Sequence, residues 1–266
     1  MTRGILIFAH NNKSFDYVKM ATIAAKLASK HLGLPVSIVT DTPIENSVFD
    51  KVIITEKPSA DNTRVVGNEV DYFFNFNRHL AYELTPYDHT LLIDSDLLIY
   101  SNRLTNYWDL NESFLICEAM NDLLGERLSM GEYTVGDKNI PLRWATAIMF
   151  KKDRQAEIIF KTVKKIQKDY RYYCDMYGFK LENFRNDMAF SIAAHIVKGF
   201  KPADINLPPM LFANMNEQLV EVDNGKLRFN LVGNGKSVIL SVKGADVHVM
   251  NKQDIIKFET ELCLGT

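Results

Sequence analysis

Thr90-Leu91-Leu92-Ile93-Asp94-Ser95-Asp96-Leu97-Leu98-Ile99-Tyr100 sets two carboxylates in the middle of an otherwise apolar run. Thr90 to Ile93 reads as a short buried strand, preceded by a turn over Pro86 to His89. Carboxylates one residue apart at a strand end point broadly the same way while the strand's alternation persists, so Asp94 and Asp96 can share one hard cation. Magnesium or manganese suits such oxygen ligands. The same triplet also serves as a polar strand terminus or a helix cap, but its position favours the cation: two unpaired carboxylates between apolar runs cost several kcal/mol to desolvate.

Upstream, Gly4 to Ala9 is another short continuous apolar run, the pattern of a strand covered on both faces, and His10 to Ser14 breaks it with polar turn formers. Tyr17 to His31 has apolar residues at helical spacing and is stopped by Gly33. Val36 to Asp41 and Val52 to Ile54 read as the second and third strands. Strand, helix, strand in this order predicts an α/β fold whose ligand crevice lies beyond the carboxyl ends of the strands. His10, Asn11 and Asp41 then stand at that rim, as ligand contacts or simply as turn residues. Tyr72 to Leu84 is aromatic-rich and helix-compatible.

Downstream, Phe114 to Cys117 and Ala145 to Phe150 read as strands, with a long Gly-containing loop, Asn121 to Leu142, between them as a candidate lid or acceptor-facing surface. Lys151 to Tyr173 and Asn186 to Lys198 read as helices. Leu227 to Val232 and Ser237 to Val242 flank Asn234-Gly235, a hairpin signal. The first helix of this half is rich in Lys and Arg: an ordinary solvated face, or a phosphate-tracking surface suited to a nucleic-acid acceptor. Trp108 and Trp144 read as packing residues.

With 47% hydrophobic residues in 266, the chain can bury a substantial core, which excludes disorder. We expect one domain over 1–266: a first half, 1–117, ending after the acidic pair, a second part, 118–200, and a C-terminal elaboration, 201–266, with the hairpin. A net charge of −2 gives no global pull toward nucleic acid or membrane. Three dispersed cysteines, Cys117, Cys174 and Cys263, suggest reduced thiols. The absence of a signal-like start or a run of roughly 20 apolar residues leads to the expectation of a soluble, cytoplasmic protein.

The order of these motifs resembles the glycogenin-type, family 8 group of GT-A glycosyltransferases, from the first strand to about Lys252. Tyr87-Asp88-His89-Thr90-Leu91-Leu92-Ile93-Asp94-Ser95-Asp96-Leu97-Leu98 is close to the family's Asp-x-Asp segment. Phe76-Asn77-Arg78-His79-Leu80 stands where the family has a basic, donor-contacting helix residue. Trp144-Ala145-Thr146-Ala147-Ile148-Met149-Phe150 resembles the family's sugar-facing strand in position. Phe184-Arg185-Asn186-Asp187-Met188-Ala189-Phe190 puts Asp187 in the place of an acidic residue near the sugar. Asp246-Val247-His248-Val249-Met250-Asn251-Lys252 matches a late histidine that completes the metal site and a lysine on the diphosphate, although the family's intervening glycine is missing.

The resemblance implies a GT-A, Rossmann-like α/β fold and transfer of a sugar, with retention, from a nucleotide-sugar donor, a UDP-sugar for preference. It implies Mn2+ or Mg2+ on Asp94, Asp96 and His248, and donor contacts from His10, Asn11, Asp41, Arg78, Ser95 and Lys252. Arg78 and Asp187 are the candidate catalytic residues. The acceptor stays open among a glycan, a protein and a modified nucleic-acid base. Plainer readings stand beside these: Arg78 as a solvated helix charge, Asp187 as a helix N-terminal carboxylate, His248 as a hydrogen-bonded core residue. A haloacid-dehalogenase-type phosphohydrolase, a metal-dependent nucleotidyltransferase and a non-catalytic sugar-nucleotide-binding module are the competing functions.

Overall fold

The computed structural model describes every residue except 46, 58–62, 67–68, 75, 129–133, 138–139, 181–182, 202–204, 234–235 and 265–266. In chain order it has β1 (Arg3–Phe8), α1 (Tyr17–Leu32), β2 (Val36–Thr40) and β3 (Phe49–Ile54), then a hairpin of β4 (Thr63–Val66) and β5 (Glu69–Tyr72). A 3-10 turn over Phe76–Leu80 leads into α2 (Ala81–Leu84), β6 (His89–Ile93), β7 (Leu97–Leu98), β8 (Phe114–Cys117), β9 (Met120–Asn121), β10 (Thr134–Val135), β11 (Ile140–Pro141) and β12 (Trp144–Lys151). The rest comprises α3 (Arg154–Lys168), α4 (Tyr170–Tyr177), α5 (Asn186–Val197), β13 (Met210–Ala213), β14 (Gln218–Asp223), β15 (Lys226–Gly233), β16 (Lys236–Lys243), β17 (Val247–Val249), α6 (Lys252–Lys257) and α7 (Glu259–Cys263).

The molecule is a mixed α/β structure around a central sheet of order β3-β2-β1-β6-β12-β8. The first four of these strands run parallel, and β12 is antiparallel to both β6 and β8. β2 and β6 are buried along their whole length, as strands covered on both faces must be, which is why their sequences lack alternation. One face carries α1, whose Ala21, Ala24, Ala25 and Ala28 let it lie close to the sheet. The other carries α3 and α5. On α3 the buried stripe Ala156, Ile159, Phe160, Val163 and Ile166 follows helical spacing, and Phe160 meets Phe150 with ring centroids 4.7 Å apart.

Local signals set the helix ends. The Asp16 carboxylate accepts from Lys19 N–H at 2.9 Å to start α1, and Gly33 at φ 66° ends it. The helix expected over Lys151 to Tyr173 differs in detail: Lys151 closes β12, Asp153 caps α3 by accepting from Ala156 N–H at 3.0 Å, and a break at Asp169 separates α3 from α4. The helix expected over Tyr72 to Leu84 is realised only in its second half. Tyr72 ends a strand, and the following aromatics anchor in different places, Phe73 against Tyr17 and Phe76 against Phe184 with centroids 5.1 Å apart. These anchors hold Phe76–Leu80 in a 3-10 turn with a kink at Asn77.

A second sheet, β7-β17-β13-β9, sits beyond the tip of β6, and β14-β15-β16 forms a C-terminal antiparallel meander. The expected hairpin is therefore present as β15 and β16; its turn residues Asn234 and Gly235, like Gly131 of the long loop, lie outside the described residues. That loop carries β9, β10, β11 and a tight turn at Gly125, φ 89°. Cys117 and Cys174 are buried and Cys263 half-buried, none of the three in a disulfide. Among the described residues no helix is long and apolar enough to cross a membrane.

Candidate functional site

The strand tip after β6 is built by backbone pairing. Asp94 N–H donates to Thr146 O at 3.0 Å, Leu97 N–H turns back to Asp94 O at 3.2 Å, and the chain resumes as β7. β7 pairs antiparallel with β17, which sets His248 opposite Leu97, while Asp96 O accepts from Val249 N–H at 3.0 Å. α6 begins three residues later with Lys252. Two elements far apart in sequence are thereby locked edge to edge, with their polar side chains facing one space.

That space is a cavity of about 600 Å³ at the carboxyl ends of β1 and β6. Asp94, Asp96 and His248 each direct one ligand atom into it, all within 4.8 Å of one another. His248 Nε2 is 3.1 Å from Asp96 Oδ1, and its Nδ1 is 3.2 Å from Thr146 Oγ1. Lys252 Nζ donates to Asp96 Oδ2 at 2.5 Å, and Arg78 Nη1 donates to Asp94 Oδ1. Arg78 is only 3% exposed, and its Nε and Nη2 are buried without a hydrogen-bond partner among the described residues.

The charges are strongly coupled. Burial pushes the Asp94 carboxyl above its ordinary range, opposed by the Arg78 guanidinium and reinforced by Asp96. Burial pushes Asp96 the same way, but Lys252 and His248 outweigh it and hold that carboxyl well below the usual range. For His248 burial disfavours the cation, and the neighbouring Asp96 more than reverses this, so its pKa is raised. Two carboxylates and one imidazole form a donor set that fits a divalent cation. The two free guanidinium nitrogens of Arg78 are suited to an anion's oxygens, so cation and anion fit the cavity together.

Asp187 lies in the first turn of α5 and also lines the cavity; its Oδ1 accepts from Ala145 N–H at 2.8 Å. Arg185 Nη2 is 3.5 Å from the other oxygen. Ser95 is buried in the cavity wall. His10 lines it as well, with Nε2 3.3 Å from Thr55 Oγ1 and a pKa lowered chiefly by burial. Asn11 and Asp41 are not among the lining residues. Asn11 Oδ1 accepts from Val18 N–H at 2.9 Å, a turn role, and Asp41 pairs with Lys57 at 3.2 Å. Trp108 packs on His89 in the core, whereas Trp144 lines the cavity beside Phe212. No described residue of 121–142 lines it.

Several wall residues escaped the sequence reading. In sequence Thr146 reads only as part of a strand and Arg185 only as a neighbour of Asp187, while Phe73, Asn183 and Phe212 carry no motif of their own. The aromatic cluster before Arg78 and the arginine two residues before Asp187 were the available signals.

No protein-family model matches the chain, and no curated protein matches it by sequence. Solved structures similar to it include the galactosyltransferase LgtC in complex with donor and acceptor sugar analogs, at 14% identity over 81% of this chain and 75% of that one, TM-score 0.49. Mouse xyloside xylosyltransferase 1 is 15% identical over 75% of this chain and 83% of that one, TM-score 0.43. The glycosyltransferase GlyE of Streptococcus pneumoniae TIGR4 is 12% identical over 74% of this chain, TM-score 0.41. The chain spans only 43% of the GlyE chain.

Proposed function

We propose that this chain is a metal-dependent glycosyltransferase of GT-A type, moving a sugar from a nucleotide-diphosphate sugar to an acceptor with retention at the sugar. The observation that carries the reading is the convergence of Asp94, Asp96 and His248 within 4.8 Å, beside a buried Arg78 with two unpartnered nitrogens. Asp94, Asp96 and His248 would hold Mn2+ or Mg2+, which when bound would supply Lewis-acid neutralisation of the diphosphate leaving group.

The remaining work falls to the chain's own residues. As the bond from the anomeric carbon to the diphosphate breaks, negative charge grows on the leaving oxygens. Arg78 and Lys252 supply fixed positive charge there, each such contact contributing about 3 kcal/mol, or roughly 10²–10³ in rate. Asp187, held by the Ala145 N–H, positions donor or acceptor, and Ser95 and His10 contact the donor. Burial favours the neutral form of His10, which can accept as well as donate. A UDP-sugar is the preferred donor.

Incubation of the protein with Mn2+ and a panel of nucleotide sugars, followed by product analysis, tests this. Release of free nucleoside diphosphate together with hydrolysed or transferred sugar is expected. Pyrophosphate would indicate a nucleotidyltransferase, inorganic phosphate from simple phosphate esters a phosphohydrolase, and a donor-dependent thermal shift with no turnover a binding module.

A further inference from the structure

Away from the cavity, the C-terminal meander has two unlike edges. The β14 edge is interrupted by a bulge between Leu219 and Glu221 and covered where Leu219 N–H donates to Asp254 Oδ2 at 2.8 Å. β16 has neither device. It is 8 residues long, follows β15 without a register shift and has no second partner strand among the described residues. Natural sheets blunt such edges with bulges, prolines or charges. In Lys236-Ser237-Val238-Ile239-Leu240-Ser241-Val242-Lys243 the charges stand only at the two ends, and Val238 and Ile239 are 59% and 54% exposed.

The register fixes which backbone groups are unused. Gly233 and Lys236 pair across a two-residue connection, so they exchange both hydrogen bonds. Pairing type alternates along an antiparallel ladder, so Val238, Leu240 and Val242 direct N–H and C=O toward β15. Ser237, Ile239, Ser241 and Lys243 direct theirs to the open edge. Val242 is buried against the core, which places Val238 and Leu240 on the core-side face and Ile239 on the other.

Around Ile239 the strand is palindromic in chemistry: Ser, Val, Ile, Leu, Ser. We infer that the β16 edge is a self-association surface, pairing antiparallel with β16 of a second copy of this chain about a two-fold axis at Ile239. In that register Ile239 exchanges both hydrogen bonds with the partner's Ile239, Ser237 meets the partner's Ser241, and Val238 packs on the partner's Leu240 with both on the core-side face. Parallel in-register pairing is disfavoured because it sets lysines opposite lysines at both ends. A slip by two residues sets Ile239 against serine and Ser237 against Lys243, losing the apolar match. The two three-stranded meanders then form one continuous sheet.

Sedimentation equilibrium of the full chain tests the surface. The wild type is expected to double in mass as concentration rises, and Ile239→Lys, which sets two ammonium groups on the axis, to stay monomeric with an unchanged circular dichroism spectrum. In a Cys263→Ser background, Ile239→Cys is expected to form a disulfide dimer on mild oxidation, since directly paired Cα atoms about 5.5 Å apart suit the bond. Ser237→Cys, which faces serine across the axis, should not. A wild type that stays monomeric, a dimer that survives Ile239→Lys, or an Ile239→Cys chain that fails to crosslink overturns the inference. The crosslinking result stands on its own if the lysine variant misfolds.

Discussion

The Thr146 hydroxyl lies 3.2 Å from His248 Nδ1, while Nε2 of the same ring faces Asp96 at 3.1 Å. A hydroxyl both donates and accepts, so Thr146 satisfies Nδ1 whichever ring nitrogen carries the proton. Thr146→Val removes that support without changing volume. It is expected to weaken Mn2+ binding about 10- to 100-fold by titration calorimetry, while Thr146→Ser retains it. Equal affinities for the wild type and the valine variant would remove Thr146 from the site's design.

Asp96 sits between Lys252 and His248 and is central to the proposed chemistry. Asp96→Asn should lower donor turnover by at least about 10³-fold and abolish the Mn2+-induced thermal shift, with the fold kept. Turnover by the asparagine variant in the presence of a chelator would defeat the metal-dependent scheme.

Lys252 gives a stability test separate from catalysis. Lys252→Met leaves Asp96 buried with His248 as its remaining partner, at a cost of about 3 kcal/mol in urea unfolding under chelating conditions. Saturating Mn2+ should restore part of that loss, because a cation binding only the folded state replaces the missing charge. A deficit identical with and without Mn2+ would show that the ion does not reach Asp96.

His89 offers a pH signature outside the cavity. Burial against Trp108, with Lys151 and Arg3 adding to it, holds its imidazole down to about 4, against 6.5 for the free side chain. Between those values the unfolded chain binds the extra proton and the folded chain does not, so stability falls as pH drops from about 6.5 to about 4. The loss reaches at most about 3 kcal/mol. Denaturation midpoints across this range should decline less steeply for His89→Phe than for the wild type.

How far the sequence carried the structure depended on whether the deciding contacts were local. β1, α1, β2 and β6 were legible because continuous apolar runs, helical spacing over Tyr17–His31 and the stop at Gly33 act within a few residues. Asp94 and Asp96 stood out because carboxylates inside an apolar run have few uses. The approach of His248 rests on β17 pairing with β7, which only the order of motifs suggested. The segment from Tyr72 to Leu84 misled because its helix-compatible composition was overridden by Phe73 and Phe76 anchoring in separate aromatic contacts. Asn11 looked like a rim ligand, yet its amide is engaged by Val18 N–H, a choice between local and distant partners that sequence does not encode.

The hydrogen bond from Lys252 to Asp96 joins residues 156 positions apart. During synthesis Asp96 emerges from the ribosome long before His248 and Lys252, whereas Asp94 follows its own partner, Arg78. Until β17 docks on β7, Asp96 lacks the partners that hold it out of water, so a nascent chain carries a hydrated carboxylate at that strand tip. The cavity's charge set is thus complete only once the C-terminal strand is in place, and an unfinished chain lacks the groups that surround Asp96.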